Sequence, residues 1–311
     1  MSSRRVQEPV VKAEVTSLDR ETVNFSLTGV DQALANALRR IMLSEVPTLA
    51  VDLVDIEENS SPLFDEFLAH RLGLLPIDSR AADRYQYSRD CSCATSCPNC
   101  TVRYTLDVFA MDDGVTEVTH LDIQADGASV PLPVPLWDRS ISADENRKSG
   151  VLIAKLRKNQ HLKLSMQAKK GIAKMHAKYM PTGTVSMRYE NVITVDRDIE
   201  YTTPVEHRRE IVNSCPRKVF ELDEADHIVV ARPDECTLTE ECIAKAKELG
   251  KKGLIAVDQR MDRVHFEVES TGARPPQDIV VTAAAILGRK FQTLADDLED
   301  WEKEFGTVFA R

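Results

Sequence analysis

The chain has 311 residues, more than one average domain and enough for about two, each with a buried core. Its 40 Lys plus Arg against 50 Asp plus Glu give a net charge of −10. That is the wrong balance for a chain that holds DNA by itself, since phosphate neutralisation supplies most non-specific affinity. No apolar run approaches the ~18 to 20 residues of a spanning helix, the longest candidate being 279–287. The N-terminus, Met1-Ser-Ser-Arg-Arg, has no apolar h-region, which argues against a secretory signal and for a reducing compartment.

In chain order, Val11, Ala13 and Val15, then Val23, Phe25 and Leu27 after a turn-like 19–21, predict an antiparallel hairpin. Asp31 is placed to N-cap a helix in which Leu34, Leu38, Ile41, Met42 and Val46 recur at helical spacing up to Pro47. The other side of that helix carries Asn36, Arg39, Arg40 and Ser44, so one face suits burial and the other polar contact. Residues 48–60 read as a strand with Val51, Leu53 and Asp55 on one side. A short helix at 64–72 is expected to stop at Gly73 as its C-terminal cap.

Beyond a cysteine run at 91–100, strands are predicted at 102–111 and 151–156, and through 162–168, where Leu162, Leu164, Met166 and Ala168 alternate with polar residues. Val185, Met187 and Tyr189 keep the same period. From Cys215 to Leu254 the texture changes to a strand at 227–231 and a helix at 239–249 ended by Gly250. Val264, Phe266 and Val268 then alternate again.

The last predicted element follows Pro275 and Pro276. Val280, Ala284, Leu287, Phe291, Leu294, Leu298, Trp301 and Phe305 repeat at alternating spacings of four and three, a heptad seam sustained beyond three heptads. Such a helix either covers its own sheet or pairs with another chain, and its length favours a partner helix. Charge is segregated along the chain. Residues 151–189 contain no Asp or Glu but many Lys and Arg, whereas Asp296, Asp297, Glu299, Asp300, Glu302 and Glu304 crowd the end of the last helix. Such runs mark either solvated faces or docking surfaces for oppositely charged partners.

The strongest local signal is Cys91, Cys93, Cys97 and Cys100, spaced C-x-C-x3-C-x2-C. Four thiolates within ten residues can wrap one tetrahedral zinc ion, and in a reducing compartment zinc is the better account than disulfides or free thiols. Four sulfur ligands leave no open position, so the expected ion is structural, and a zinc-dependent enzyme is not the expectation. Cys215, Cys236 and Cys242 offer a three-ligand set in which Thr239 stands where a ferredoxin-like loop has its central cysteine. An iron–sulfur cluster, and with it an electron carrier, is therefore only the remote alternative. No phosphate-cradling, nucleophile-elbow or zincin motif is present, and the acidic pairs sit in turns or on solvated faces. No catalytic residue is assigned.

Several blocks together carry a resemblance. Residues 35–47, Ala-Asn-Ala-Leu-Arg-Arg-Ile-Met-Leu-Ser-Glu-Val-Pro, resemble the first helix of α-type subunits of cellular RNA polymerases, and 65–77, ending Leu-Gly-Leu-Leu-Pro-Ile, resemble the next family block. The cysteine spacing, 151–158, and 168–178 with its Ala-Lys-Lys-Gly-Ile-Ala-Lys are similar to the third-largest, α-like class of RNA polymerase II in particular. The stretch 215–254 resembles the ferredoxin-like insertion of the archaeal α-like subunit, which keeps that subunit, and the one shared by polymerases I and III, as alternatives.

The resemblance implies an α+β fold with a split dimerisation domain. Its parts are 1–48, 181–206 and 259–311, with a mostly-β zinc-containing insert at 49–180 and a degenerate ferredoxin-like insertion at 207–258. It implies a non-catalytic assembly subunit in the nucleus that pairs with a smaller α-like subunit and nucleates assembly of the second-largest and largest subunits. Leu34, Leu38, Ile41, Leu287, Phe291, Leu294, Leu298 and Trp301 would form the heterodimer core, and Arg39 and Arg40 would contact the second-largest subunit. The zinc loop and basic tract would face other subunits, the small zinc-binding ones included, with DNA reached only through the complex and no membrane involved.

Overall fold

A computed structural model describes residues 11–127, 130–134, 142, 145 and 150–305, Phe305 by its backbone alone. Residues 1–10, on which the leader reading rests, and the side chain of Phe305 at the end of the predicted seam lie outside the described residues. The class is α+β. The N-terminal third holds β1 (Lys12–Leu18), β2 (Thr22–Thr28), α1 (Gln32–Ser44), β3 (Thr48–Asn59) and α2 (Asp65–Gly73). Then come β4 (Thr101–Phe109), β5 (Thr116–Thr119), β6 (Gln124–Ala125), β7 (Leu152–Leu156), β8 (His161–Gly171) and β9 (Thr182–Val195). The remainder is α3 (Arg197–Tyr201), α4 (Val205–Ser214), β10 (Phe220–Leu222), β11 (Ile228–Val230), α5 (Glu241–Glu248), β12 (Ile255–Ser270) and α6 (Pro276–Phe305). No helix among the described residues is long and apolar enough to cross a membrane.

The chain divides into two compact units. One comprises 25–35 and 187–266 with the start of β1. Its core gathers Ile211 of α4, Phe220 and Ile228 of the β10–β11 hairpin, Cys242 and Ala246 of α5, and Leu254. Phe25 and Phe266 stack in parallel at 5.0 Å in the same unit. Asp31 caps α1 as predicted, its carboxylate accepting from the Leu34 amide at 2.8 Å. The helix expected at 239–249 is shorter, because Glu240 takes a left-handed conformation (φ 59°) and the helix starts after it.

The other unit comprises 15–24, 36–186 and the chain from 267 onward. A sheet in the order β3-β8-β4-β6 forms its centre, with β5 and β7 paired beside it. The alternation at 162–168 emerges as expected: Leu162, Leu164, Met166 and Ala168 are all buried against Val102, Tyr104 and Leu106 of β4 and the α2 residues Leu68 and Leu72. In the separate sheet β1-β2-β12-β9, β1 lies at the edge with every residue exposed, so the apolar face predicted for Val11, Ala13 and Val15 is left uncovered among the described residues.

Two local expectations fail for physical reasons. The single face expected for Val51, Leu53 and Asp55 does not exist, because the β3–β8 register shifts between Val51 and Leu53. Asp52 is the extra residue of a bulge, and one inserted residue inverts the alternation that follows. Val51 is therefore buried, Leu53 exposed, and Val54 and Ile56 face the core. Gly73 is no left-handed cap either: α2 ends at a right-handed Leu74. Nor does packing demand the glycine, since a Cβ there would lie 3.6 Å from the Val51 carbonyl oxygen, an ordinary van der Waals contact.

Candidate metal centre and partner-facing helix

The cysteine run forms a loop that hangs from the start of β4. Cys97 and Pro98 begin a tight turn in which the Cys97 carbonyl accepts from the amides of Cys100 and Thr101 at 3.0 and 2.9 Å. Arg103 on β4 donates to the Ser96 hydroxyl at 3.1 Å, and the Gln86 amide to the Asn99 carbonyl at 2.8 Å, closing the loop at its base. All four sulfurs lie within 4.8 Å of one another. Cys91 is 3.6 Å from Cys97, Cys93 is 3.6 Å from Cys100, and Cys97 is 3.7 Å from Cys100. A tetrahedron with bonds of about 2.3 Å has sulfur–sulfur edges of about 3.8 Å, so the donor set has the size of one coordination sphere. A disulfide would need about 2.05 Å.

The thiols also perturb one another. The Thr101 hydroxyl at 3.5 Å leads the interactions that bring Cys100 down to about 6, whereas hydrogen bonding to Cys91 and Cys100 pushes Cys93 up to about 12. The loop residues 88–99 contribute no side chain to the hydrophobic core beneath them. Cross-linking by an ion is the interaction this donor set is equipped to make, and four sulfurs fill a tetrahedron with no position left for a reacting ligand.

Cys215, Cys236 and Cys242 are placed differently. Cys242 is buried in the hydrophobic core of its unit, with Cys215 and Cys236 packed against that core. Burial first, and then the neighbouring Cys215, raises the Cys242 thiol above its ordinary value. Among the described residues only the 91–100 set brings three or more potential metal ligands together.

Helix α6 has two halves. Ile279 and Ala283 are fully buried and Leu287 half-buried, whereas every described side chain from Gly288 to Glu304 is exposed. The helix has 30 residues, about 45 Å at 1.5 Å per residue, so its exposed half extends over several turns. Phe291, Leu294, Leu298 and Trp301 are 51 to 58% exposed and share the heptad spacing. Of the other residues assigned to a heterodimer core, Leu38 and Ile41 are buried within the chain and Leu34 is half-buried. Arg39 is held by Asn36, whose side-chain oxygen accepts from its Nε and Nη2 at 3.2 and 2.9 Å, while Arg40 is exposed.

One residue the sequence reading passed over anchors α6. Glu45, just past the end of α1, accepts from Lys174 Nζ at 2.6 Å and Lys290 Nζ at 2.7 Å. Its burial would raise the carboxyl, but the two lysines outweigh that and hold it below its ordinary value.

Residues 24–291 match the family model described as the RNA polymerase Rpb3/Rpb11 dimerisation domain. The chain is 40% identical to the DNA-directed RNA polymerases II, IV and V subunit 3 of Arabidopsis thaliana, over 96% of this chain and 95% of that protein. It is 35% identical to the DNA-directed RNA polymerase II subunit rpb3 of Dictyostelium discoideum, over 92% and 94%. To the DNA-directed RNA polymerase subunit Rpo3 of the archaeon Methanosphaera stadtmanae it is 30% identical, over 93% and 99%.

Proposed function

The chain belongs to the RNA polymerase Rpb3/Rpb11 dimerisation-domain family, and from that premise we propose that it is a non-catalytic assembly subunit of nuclear RNA polymerase II. It pairs with a smaller α-like subunit, and the heterodimer is the platform for the second-largest and largest subunits. The polymerase II class is supported by the higher identity to relatives named for that enzyme, 40 and 35%, than to the archaeal relative, 30%.

The observation that carries the pairing is the exposed half of α6. Four large apolar side chains in heptad register project from a helix whose first half is already packed, which is the form of one strand of a two-helix seam. Leu34, Leu38, Ile41 and Leu287 belong to the same heterodimer core. Arg39 and Arg40, on the polar side of α1, face the second-largest subunit. The organisation is a dimerisation domain from 1–48, 181–206 and 259–311, interrupted by the insert at 49–180 and a ferredoxin-like remnant at 207–258.

In the insert, Cys91, Cys93, Cys97 and Cys100 hold a structural zinc ion that fixes the loop for contact with other subunits, the small zinc-binding ones included. The ion supplies a rigid cross-link and no reactive position. DNA is reached only through the assembled enzyme.

The decisive experiment replaces Leu294 and Leu298 together by Asp. Two carboxylates in the seam should abolish co-purification with the smaller α-like subunit while the chain stays folded, and undiminished pairing would overturn the reading. Metal analysis addresses the loop separately. Cys97→Ser should reduce bound zinc from one per chain toward none, and stoichiometric zinc in that variant would refute the four-thiolate site.

A further inference from the structure

The bulge in β3 turns Asp52 toward a pocket of about 340 Å³ at the foot of the cysteine loop. Tyr87 and Arg89 enter this pocket from the loop, Lys169 and Lys170 from the end of β8, and Lys178 and Tyr179 from the turn that follows. Asp52 is the single carboxylate among the lining residues, against four basic side chains. The lysines are largely withdrawn from water: the side chains of Lys169, Lys170 and Lys178 are 20, 11 and 14% exposed. Beyond the lining, Arg274 and Arg289 act on Lys170 in the same sense as its burial, lowering its pKa, with Asp83 at 3.7 Å opposing them.

The pocket already binds one carboxylate. Asp52 accepts from Lys178 at 2.8 Å and from Lys169 at 3.1 Å, and these bonds outweigh its burial and keep it below its ordinary pKa. The two lysines are thus set at the spacing that grips a carboxylate between them, and the partly desolvated site strengthens such a bond relative to open water. Lys170 is shared between Asp83 at 3.7 Å and the Tyr85 carbonyl at 3.1 Å, and Arg89 lies 3.5 Å from Asp90, so the Lys169–Lys178 pair is the seat for an incoming carboxylate.

The aromatic rings point the same way. Arg89 and Lys170 stand over the Tyr87 ring at 5.2 and 5.1 Å, and Lys178 over the Tyr179 ring at 5.2 Å. Tyr179 is pressed against Gly171, where any Cβ would come within 2.5 Å of the ring. Cations over these rings compete with a nucleobase for them, and base stacking is what single-stranded nucleic acid uses for affinity. A chain of net charge −10 is also a poor collector of polyanions at long range. The volume is at the small end for ligand sites and suits one or two acidic side chains.

We infer that this pocket docks an acidic segment of a partner protein, one Asp or Glu carboxylate of the segment displacing Asp52 from Lys169 and Lys178. The inference rests on the assembly-subunit reading only in that the occupant is a protein; pairing through α6 is measured separately, by co-purification, and neither result decides the other.

The test is fluorescence anisotropy on the full chain at about 0.15 M salt, where charges beyond about 8 Å are screened. The probe is a short labelled Asp/Glu peptide, with its Asn/Gln counterpart and an oligothymidylate of equal charge as comparisons. The two substitution sets should act in opposite directions. Lys169→Gln with Lys178→Gln should weaken the acidic peptide by about tenfold or more, the scale of lost charge-assisted bonds, and Asp52→Asn should tighten it several-fold by freeing both lysines. Arg89→Gln, on an exposed loop side chain, gives a third reading should the double variant fail to fold. Unchanged affinity in Asp52→Asn and in the lysine or Arg89 variants would overturn the proposal. So would oligothymidylate binding that matches the peptide and is lost in the same variants, which would make this a nucleic-acid site.

Discussion

The basic tract at 151–189 and the acidic end of α6 are the two most charge-biased stretches of the chain, and the fold treats them in opposite ways. Most of the tract is strand, and β8 runs between β3 and β4, which bring the missing acids to it. His161 lies between Glu58 and Asp107 at 2.9 and 2.7 Å, Lys163 meets Glu57, Lys155 meets Glu117 at 2.7 Å, and Lys158 meets Asp113 at 2.7 Å. A run that is purely basic along the chain becomes in large part a surface of cross-strand pairs, with a group of four basic side chains gathered at the Asp52 pocket. Among the described residues, no ion pair joins the acidic end of the helix, 296–304, to another segment. Its side chains are exposed from 288 to 304, and its Lys303–Asp300 ion pair is local to the helix. Charge segregation in a sequence therefore survives as a surface only where the element projects beyond its neighbours.

The largest expected effect separates the two regions with one residue type. Leu164 in the tract is 2% exposed inside the core of its unit, and Leu294 is 54% exposed on the helix. Leu164→Ala should cost about 2–5 kcal/mol in urea denaturation of the free chain through the cavity it leaves. Leu294→Ala should stay within about 0.5 kcal/mol. An equal loss in both would mean that the helix end is covered in the free chain and would break the comparison.

This contrast also marks what can be read without coordinates. The thiol set was legible because its ligands are contiguous, and the exposed seam was legible because 291, 294, 298 and 301 repeat on one helix. Which leucines stay inside was not. Heptad spacing runs unbroken from Val280, yet in the first half of α6 it is Ile279 and Ala283 that are fully buried, because burial is set by residues far off in the chain, such as the Glu45 that holds Lys290. The bulge at Asp52 was invisible for a related reason: a register shift belongs to two strands, and the partner residues lie more than a hundred positions away. Glu45 is the same case, its two lysines being 129 and 245 positions off.

Glu45 supplies the intermediate effect, because it ties the two regions together through Lys174 of the tract and Lys290 of the helix. Its folded pKa lies below the unfolded value of 4.5, so its contribution is complete above that pH and is lost as pH falls through the folded value. Glu45→Gln should cost about 1–2 kcal/mol at neutral pH, the worth of charge-assisted bonds to a partly buried carboxylate. The deficit against wild type should shrink as the medium is acidified below pH 4.5, where the wild-type carboxylate also loses its charge. A deficit that persists unchanged in acid would show that packing of the side chain, and not its charge, couples the helix to the tract.

The smallest effect tests whether the balance of the tract is itself stabilising. Lys155 and Glu117 pair at 2.7 Å with side chains 56 and 57% exposed, so solvent screens both and the ordering of a long lysine offsets much of the attraction. Lys155→Gln should therefore change stability by about 0–1 kcal/mol, and raising salt should erase the difference. A larger, salt-resistant loss would mean that cross-strand charge pairs hold β5 and β7 together. With a small loss, the strands are held by the buried Val118, Ala154 and Leu156, and the acidic partners of the tract serve to offset its charge and not to hold the strands.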